Sequence, residues 1–420
     1  MLKIGYAQAD ITPTEPMELV GFYRPDNVSK GVQSPLIAQV SVWEDVERCC
    51  LITVDSLGFM KDMTDFLRER VGEVLGVSKD KVMVCFSHTH SAPNADSEKQ
   101  YFEMVCEKVL AAAELALVDL KPVNVGYENA EVEIGVNRRP GGYKVDKRAG
   151  FLLSRDEKTQ KNRLLLVRLT AHGNVLKADN YRVSPDYFGA VREKLQEQYG
   201  CPVMVLQGAS GNIAPKYFYS ENTPVDAGGP AFVRSKDALH KMAQEVGEKL
   251  AEGMARITFT ADTTVGMYSK EMTFYAEVPS LSVAEKIASD ARQLCGIDGT
   301  EWLTEVSRLR ESGVSRQEEG AEVQYFSIGN WCLCGVPYEL MTEFALGGVE
   351  RMGNEFFYIN GYTNGCLSYF PMAEEFDKGG YEVYWSMLIY YKYFHRVFPF
   401  ERESGERLLD FMVENAPQNC

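Results

Sequence analysis

The spacing of apolar and polar positions predicts alternating strands and helices in the first third of the chain. Residues 50–55 and Val82–Phe86 are short, continuously apolar runs, which are typical of buried strands. Residues 62–75 between them have helical periodicity, so the three segments together predict a βαβ unit. Residues 97–100, Ser-Glu-Lys-Gln, form a capping-box pattern that predicts the start of a helix reaching about Val118.

Side chains able to bind a metal follow several of the apolar runs. His88 and His90 come directly after the second strand, and positions two apart in a strand face the same side, so an extended backbone would direct both imidazoles at one point. His172 follows the apolar run 164–171, and Glu339 follows the run 331–338. In open α/β sheets, functional groups gather outside the carboxyl ends of strands. Taken singly, His172 is more readily interpreted as a turn residue and Glu339 as a carboxylate at a helix start.

Other segments complete a prediction of an α/β fold. Residues 138–161 are predicted to form a polar loop, 217–235 a long loop suited to a substrate lid, and 280–316 helices. The candidate ligands are spread along the chain, which predicts one folded unit, residues 1–420. The aromatic run 381–395 could form the wall of a pocket for a large apolar ligand, although a core role is the more common interpretation of such a run.

The ordered motifs resemble those of the catalytic region of the neutral, non-lysosomal ceramidase family. The matching segments extend over nearly the whole chain: 5–13, 31–36, the strand reaching Asp55, 87–91, 136–139, 171–172, 184–189, 206–215, 335–339, 364–369 and 379–382. The resemblance implies a large layered α/β domain with mixed β-sheets flanked by helices and an active site at the carboxyl ends of strands. No C-terminal immunoglobulin-like domain is expected.

Carried over residue by residue, the resemblance implies a zinc site. His88, His172, Glu339 and Tyr369 would be the zinc ligands, with His90 beside the metal as a polar catalytic group. A tyrosine ligand is unusual, because an isolated phenol titrates near pH 10. The fourth protein ligand is therefore expected to be labile.

The same resemblance assigns the residues around the substrate. Arg138 and Tyr381 are expected to stabilise a tetrahedral oxyanion, and Asn137, Gly208 and Asn212 are expected to bind substrate.

One segment departs from the family pattern, which commonly has Gly-Asp-x-Ser-Pro where this chain has Gly-Asn-Ile-Ala-Pro at 211–215. Ala214 offers no nucleophile, and Asn212 replaces a carboxylate by an amide. Ser210 lies nearby but lacks the second glycine of a Gly-x-Ser-x-Gly elbow. We therefore expect water activated by zinc, rather than a serine, to attack the substrate.

The amino-acid composition argues against some classes of binding partner and some cellular locations. The 420 residues carry a net charge of −16, which argues against nucleic acid and anionic membranes as partners. No apolar run approaches transmembrane length, and no signal segment opens the chain, so neither a stable membrane anchor nor secretion is expected. Most of the ten cysteines fall in apolar segments, which predicts reduced thiols and a cytoplasmic location. The sequence does not determine an oligomeric state.

The sequence thus predicts a zinc amidohydrolase that cleaves a small-molecule N-acyl amide and acts in sphingolipid or other lipid metabolism. Two alternatives stay open. One is a zinc esterase or amidase with a substrate that is not a sphingolipid, favoured by the acidic chain without an anchor. The other is a non-catalytic zinc-binding protein of the same fold, favoured by Ala214 and Asn212.

Overall fold

The computed structural model describes residues 1–217, 236–418 and 420. The strands in this part of the chain are β1 (Lys3–Asp10), β2 (Ile37–Glu44), β3 (Arg48–Val54), β4 (Val82–Phe86), β5 (Lys121–Glu131), β6 (Gly135–Asn137), β7 (Arg148–Asp156), β8 (Asn162–Leu169), β9 (Val203–Gln207), β10 (Ile213–Pro215), β11 (Val265–Glu277), β12 (Arg316–Ile328), β13 (Trp331–Gly335), β14 (Glu339–Leu340), β15 (Phe357–Asn360) and β16 (Tyr369–Phe370). The α-helices are α1 (Lys61–Leu75), α2 (Lys99–Val118), α3 (Tyr187–Tyr199), α4 (Lys236–Met254), α5 (Leu281–Cys295), α6 (Thr300–Glu311), α7 (Thr342–Met352), α8 (Ser386–Phe394) and α9 (Ser404–Glu414). None of these helices is both long and apolar enough to cross a bilayer.

The largest sheet has eight strands in the order β4-β3-β2-β1-β5-β7-β8-β9. It divides into two halves of equivalent topology, joined by a short antiparallel pairing of β1 with β5. In each half two antiparallel pairings are followed by one parallel pairing, β3 with β4 and β8 with β9. The parallel strands are connected through α1 in one half and α3 in the other, as crossover connections require.

The parallel registers align the strand ends in two pairs, one in each half of this sheet, and the pairings between the halves make β3 and β4 antiparallel to β8 and β9. Val54 pairs with Phe86 at the end of β3 and β4, and Leu169 pairs with Gln207 at the end of β8 and β9. A second, four-stranded sheet, β11-β12-β13-β15, and a short parallel pair, β14 with β16, supply residues from later in the chain. The candidate site residues after β4, β8 and β13 therefore come from several distant segments.

The two larger sheets pack face to face between layers of helices. On β3, Cys49 and Leu51 join the apolar layer between the sheets, while Cys50 and Ile52 face α1 and α2. This alternation is the two-residue period of a strand that is buried on both faces. Helices α3 and α4 cover the other half of the large sheet, and α7 and α9 cover the four-stranded sheet. The predicted layered α/β architecture with mixed sheets and flanking helices is confirmed.

Local predictions were confirmed in part. The βαβ unit forms as β3-α1-β4, and residues 280–316 contain α5 and α6. The polar loop predicted for 138–161 is wrong, because β7 occupies Arg148–Asp156 and pairs with both β5 and β8. The polar residues that flank its apolar centre concealed this strand. The predicted lid, 217–235, lies outside the described residues except for Tyr217.

The capping box predicted at the start of α2 does not form. The residue before the helix is Glu98, whose side chain makes no capping hydrogen bond. The Ser97 hydroxyl instead donates to a carboxylate oxygen of Glu18. The helix itself is present, because its apolar face packs against the sheet regardless of the cap.

Candidate metal and active site

Three histidines from two segments meet at the edge of the large sheet. His88, His90 and His172 each offer a ring nitrogen, and these three atoms lie within 4.8 Å of one another. The ring centroids are 4.6 Å apart for His88 and His172 and 5.0 Å apart for the other two pairs. All three side chains are buried. We call this group the histidine cluster.

A turn, rather than an extended strand, produces the convergence of His88 and His90. Strand β4 ends at Phe86, and His88 has a left-handed backbone with φ of 56°. The expectation that an extended His-x-His segment would direct both rings was therefore wrong in its geometry, although the rings do meet. A left-handed backbone is unfavourable for a residue with a side chain, so tertiary contacts hold this turn.

Backbone carbonyls fix the orientation of all three rings. Each Nδ1 lies against a carbonyl oxygen, at 2.6 Å from that of Leu57 for His88, 2.9 Å from that of Gly21 for His90 and 3.3 Å from that of Ser210 for His172. Since a carbonyl only accepts, each Nδ1 must donate its proton. Each Nε2 then has an unprotonated lone pair, which is the tautomer a metal ligand needs.

A carboxylate lies beside the free nitrogens. Glu339 Oε2 is 3.4 Å from Nε2 of His88 and 3.9 Å from Nε2 of His172. The hydroxyl of the buried Tyr362 donates to the same Glu339 oxygen at 3.2 Å. Tyr362 lies outside every sequence prediction, and its position was not readable from any local pattern.

This donor set fits a zinc ion. Nε2 of His90 is buried and has no hydrogen-bond partner in the described part of the chain, which is costly for a polar atom unless a ligand or ion contacts it. Burial lowers the pKa of His90 and of His172 well below 6.5, so both rings are neutral and free to ligate. Imidazole nitrogens with one carboxylate are ligands that zinc prefers. A cation at this point would satisfy the buried nitrogen and the carboxylate together.

Tyr369 and Arg138 form a neighbouring polar group. Strands β14 and β16 place Tyr369 directly opposite Glu339. The Arg138 guanidinium donates to the Tyr369 hydroxyl at 3.1 Å and to the Gly211 carbonyl at 2.7 Å. Burial raises the pKa of Tyr369 well above 10, so its phenol holds its proton unless a cation offsets that cost.

Acidic residues hold Arg138 in place. Glu382 bridges two arginines, accepting from Arg138 Nε at 2.9 Å and from Arg139 Nη1 at 2.6 Å. Arg139 also donates to Glu375 at 2.7 Å. Burial alone would lower the pKa of Arg138, but Tyr369 and Glu382 raise it overall, so the guanidinium stays charged beside the site.

A cavity of about 110 Å³ opens onto part of the site, and Arg138 and His172 lie behind its wall. His88, His90, Glu339, Tyr369 and Tyr381 contribute to its wall. The aromatic run 381–395 contributes to the cavity wall, which is the less common of the two interpretations that its sequence allowed. Its additional cavity-lining members are Tyr390, Tyr393 and Phe394.

The three residues predicted to bind substrate lie away from the cavity wall. Asn137 donates to the Lys144 carbonyl and accepts from a backbone N–H within its own loop. The amide of the buried Asn212 accepts from the first N–H of α7 and donates to Glu343. A side chain at Gly208 would collide with Arg168, since an added Cβ would be 2.5 Å from its Nη2.

Sequence comparisons gave no match, either to protein-family models or to curated proteins. Comparison with solved structures found matches at high probability. The neutral ceramidase from Pseudomonas aeruginosa superposes with a TM-score of 0.71 at 16% identity, covering 98% of this chain and 73% of the ceramidase chain. A ceramidase complexed with C2 gives a TM-score of 0.70 at 15% identity, covering 98% of this chain and 74% of that one.

The chain has the neutral ceramidase fold. This agrees with the family that the sequence motifs resemble. The likeness extends over nearly the whole chain, so the ceramidase-like fold includes every segment that contributes to the histidine cluster.

Proposed function

We propose that this protein is a zinc-dependent amidohydrolase of the neutral ceramidase type that cleaves an N-acyl amide. The observation that carries the proposal is the histidine cluster, in which carbonyls take all three Nδ1 protons and one buried Nε2 has no partner. A packing role would not require three neutral imidazoles beside a carboxylate. The ceramidase fold supports the same reaction class.

Within this proposal, His88, His172, Glu339 and Tyr369 hold the metal. Zinc supplies a bound water of lowered pKa and polarises a carbonyl group. Tyr369 would be the fourth ligand, and the charged Arg138, which donates to its hydroxyl, opposes the rise in the Tyr369 pKa that burial causes. His90 belongs to the same cluster and would be a ligand as readily as a proton carrier on geometry alone.

The remaining residues act on the substrate. His90 is within the cavity wall and neutral, so its Nε2 can accept a proton from water and later return it to the departing amine. Arg138 is charged and fixed at three points, and it provides N–H groups for a developing oxyanion together with the Tyr381 hydroxyl.

A serine nucleophile is not needed in this scheme. Ala214 lies within β10, and the hydroxyl of the buried Ser210 donates to Tyr362. Neither position presents a free hydroxyl to the cavity. Attack by water therefore agrees better with these contacts than a covalent route does.

The substrate is the less defined part of the proposal. An esterase or amidase acting on a compound other than a sphingolipid is favoured by the cavity volume of about 110 Å³, because pockets for drug-sized ligands usually measure roughly 300 to 1,000 Å³. A role in lipid metabolism and a cytoplasmic location remain part of the proposal. The ten cysteines, all within the described residues, are unpaired thiols, which supports the location.

Metal analysis joined to hydrolysis assays tests the function. The purified protein is expected to contain about one zinc per chain and to release acid from some of a panel of short- and long-chain N-acyl amides and matched esters. His172→Ala should lose both zinc and activity, whereas His90→Ala should keep zinc and lose activity. His240→Ala is the matched control, since His240 is exposed on α4.

The outcomes separate the alternatives. Stoichiometric zinc without hydrolysis of any substrate would favour a binding protein. Cleavage of esters alone would favour the esterase. Loss of zinc in His90→Ala would make His90 a ligand, and full zinc occupancy in His172→Ala would contradict the site itself.

A further inference from the structure

The cavity contains an acidic side chain that the proposed chemistry does not use. Asp96 lies in the short segment between β4 and α2 and lines the same cavity as the histidine cluster. Near it the wall also includes Asn94, which is polar, and Met60, which is apolar. Burying a carboxylate in such a wall is unfavourable unless a hydrogen-bond donor or a cation contacts it.

Asp96 has no counter-ion within the described part of the chain. Its Oδ1 is buried and has no hydrogen-bond partner among the described residues, and no cationic side chain of that part of the chain acts on its pKa. Burial and the neighbouring Asp62 raise the pKa of Asp96 to about 6, while the Met60 backbone opposes that rise. With a pKa of about 6 the carboxylate is ionised at neutral pH, and the Met60 backbone offsets its charge only in part.

Aromatic rings share the cavity with this carboxylate. Tyr390, Tyr393 and Phe394 are on α8 and line the wall. The faces of aromatic rings attract cations, and a desolvated carboxylate forms its strongest hydrogen bonds with a charged donor. Together these groups have the chemistry of a site for an alkylammonium group.

We infer that Asp96 binds a cationic amine on the substrate, so that the preferred substrate is a small N-acyl compound whose amine part carries a second, protonated nitrogen. That the bound amine is a substrate rests on the proposed hydrolase function, whereas binding of a cation at Asp96 does not. A neutral amide would leave Asp96 with the Met60 backbone as its contact but without a counter-ion. Selectivity for a cation thus distinguishes this cavity from one that holds only uncharged lipid.

Two probes of nearly equal shape test the charge. N-acetyl-1,3-diaminopropane carries an ammonium group, and N-acetylpropylamine lacks it. Their dissociation constants are measured by titration calorimetry at about pH 7.5, where Asp96 is ionised, with metal chelated so that no turnover occurs. The wild type should bind the cationic probe at least about tenfold more tightly, and Asp96→Asn should reduce that ratio to within about twofold.

Two further variants control the result. Asp62→Asn removes the same charge from an exposed neighbour outside the cavity wall and should keep most of the preference. Asp96→Glu keeps the carboxylate and should retain a preference for the cation. Equal binding of the two probes by the wild type, or an unchanged preference in Asp96→Asn, would overturn the inference.

A parallel assay with zinc separates this inference from the proposed function. If neutral N-acyl amides are hydrolysed as well as cationic ones, the hydrolase stands and the cation site is wrong. If the cationic probe binds selectively but no amide or ester is cleaved with zinc bound, the cation site stands and the hydrolase is wrong.

Discussion

Replacing Glu382 by glutamine tests how the arginine beside the site is held. Glu382 is at the centre of a buried group in which it accepts from both Arg138 and Arg139. Glutamine keeps the size and one acceptor oxygen but removes the negative charge. Arg139 retains Glu375 as a partner, whereas Arg138 keeps only the neutral acceptors of Gly211 and Tyr369.

The expected cost follows from burial. The side chains of Glu382 and Arg138 are 10% and 16% exposed, and that of Arg139 is 3% exposed. Removing one member of a buried ion pair typically costs about 3 to 5 kcal/mol, because the remaining charge loses its compensation. Since the Arg138 pair keeps some contact with solvent, we expect about 3 kcal/mol, at the lower end of that range.

Urea unfolding at neutral pH measures this free energy of unfolding. Glu374→Gln is the control, because Glu374 is exposed on the neighbouring turn and its replacement should change stability by less than about 0.5 kcal/mol. If Arg138 stabilises charge in the reaction, Glu382→Gln should also lower kcat by about tenfold or more with little change in KM. A loss of less than about 1 kcal/mol would refute the argument that Glu382 compensates two buried arginines.

Three further results are expected. Zinc should raise the thermal unfolding midpoint of the wild type, and the increase should vanish in His172→Ala, as differential scanning fluorimetry would show. Tyr362→Phe removes the donor to Glu339 and should weaken zinc binding by about tenfold or more in a chelator competition. Burial would raise the pKa of Asp146, but Arg168 and Arg148 lower it to about 2. The roughly 2 to 3 kcal/mol by which this carboxylate stabilises the folded state should therefore be complete above pH 4 and disappear as pH falls towards 2. When the free energy of unfolding is measured as a function of pH in acid, Asp146→Asn should lack this change.

The sequence was most informative where structure depends on local pattern. Strands β3 and β4 are apolar over their whole length, and polar chemistry begins where they end, so the place of His88 was readable. Strand β7 was missed although its centre is apolar. Gly150 in this strand is typical of a loop in sequence terms. In the structure a glycine is required at this position, because the ring of Tyr358 occupies the space that a side chain would take.

Contacts between distant segments were not readable from the sequence. Tyr362 reaches Glu339 and Ser210 only after the two sheets pack, and nothing next to it in the chain marks it. Asn212 lies in a segment that resembles a catalytic motif, yet its amide oxygen accepts a hydrogen bond from the first N–H of α7. Whether a polar residue faces a cavity or supports a helix depends on which distant segment packs against it in the folded chain.

The two halves of the large sheet hold His88 and His172 in equivalent ways. In the first half His88 follows β4, and its ring donates to a carbonyl, that of Leu57, just after the parallel neighbour β3. In the second half His172 follows β8, and its ring lies against the carbonyl of Ser210, just after the parallel neighbour β9. The histidine and its acceptor are thus on adjacent parallel strands in both halves, with their order along the chain exchanged.

This arrangement has a consequence for the metal chemistry. Because backbone carbonyls orient the rings, substitution of the side chain at Leu57 or Ser210 leaves the acceptor in place. The registers of the two parallel strand pairs then set the direction of Nε2 in His88 and His172, whereas the carbonyl of Gly21, outside these strands, orients His90. Changes in metal binding should therefore come from the ligands themselves or from Tyr362, which contacts Glu339 through its side chain.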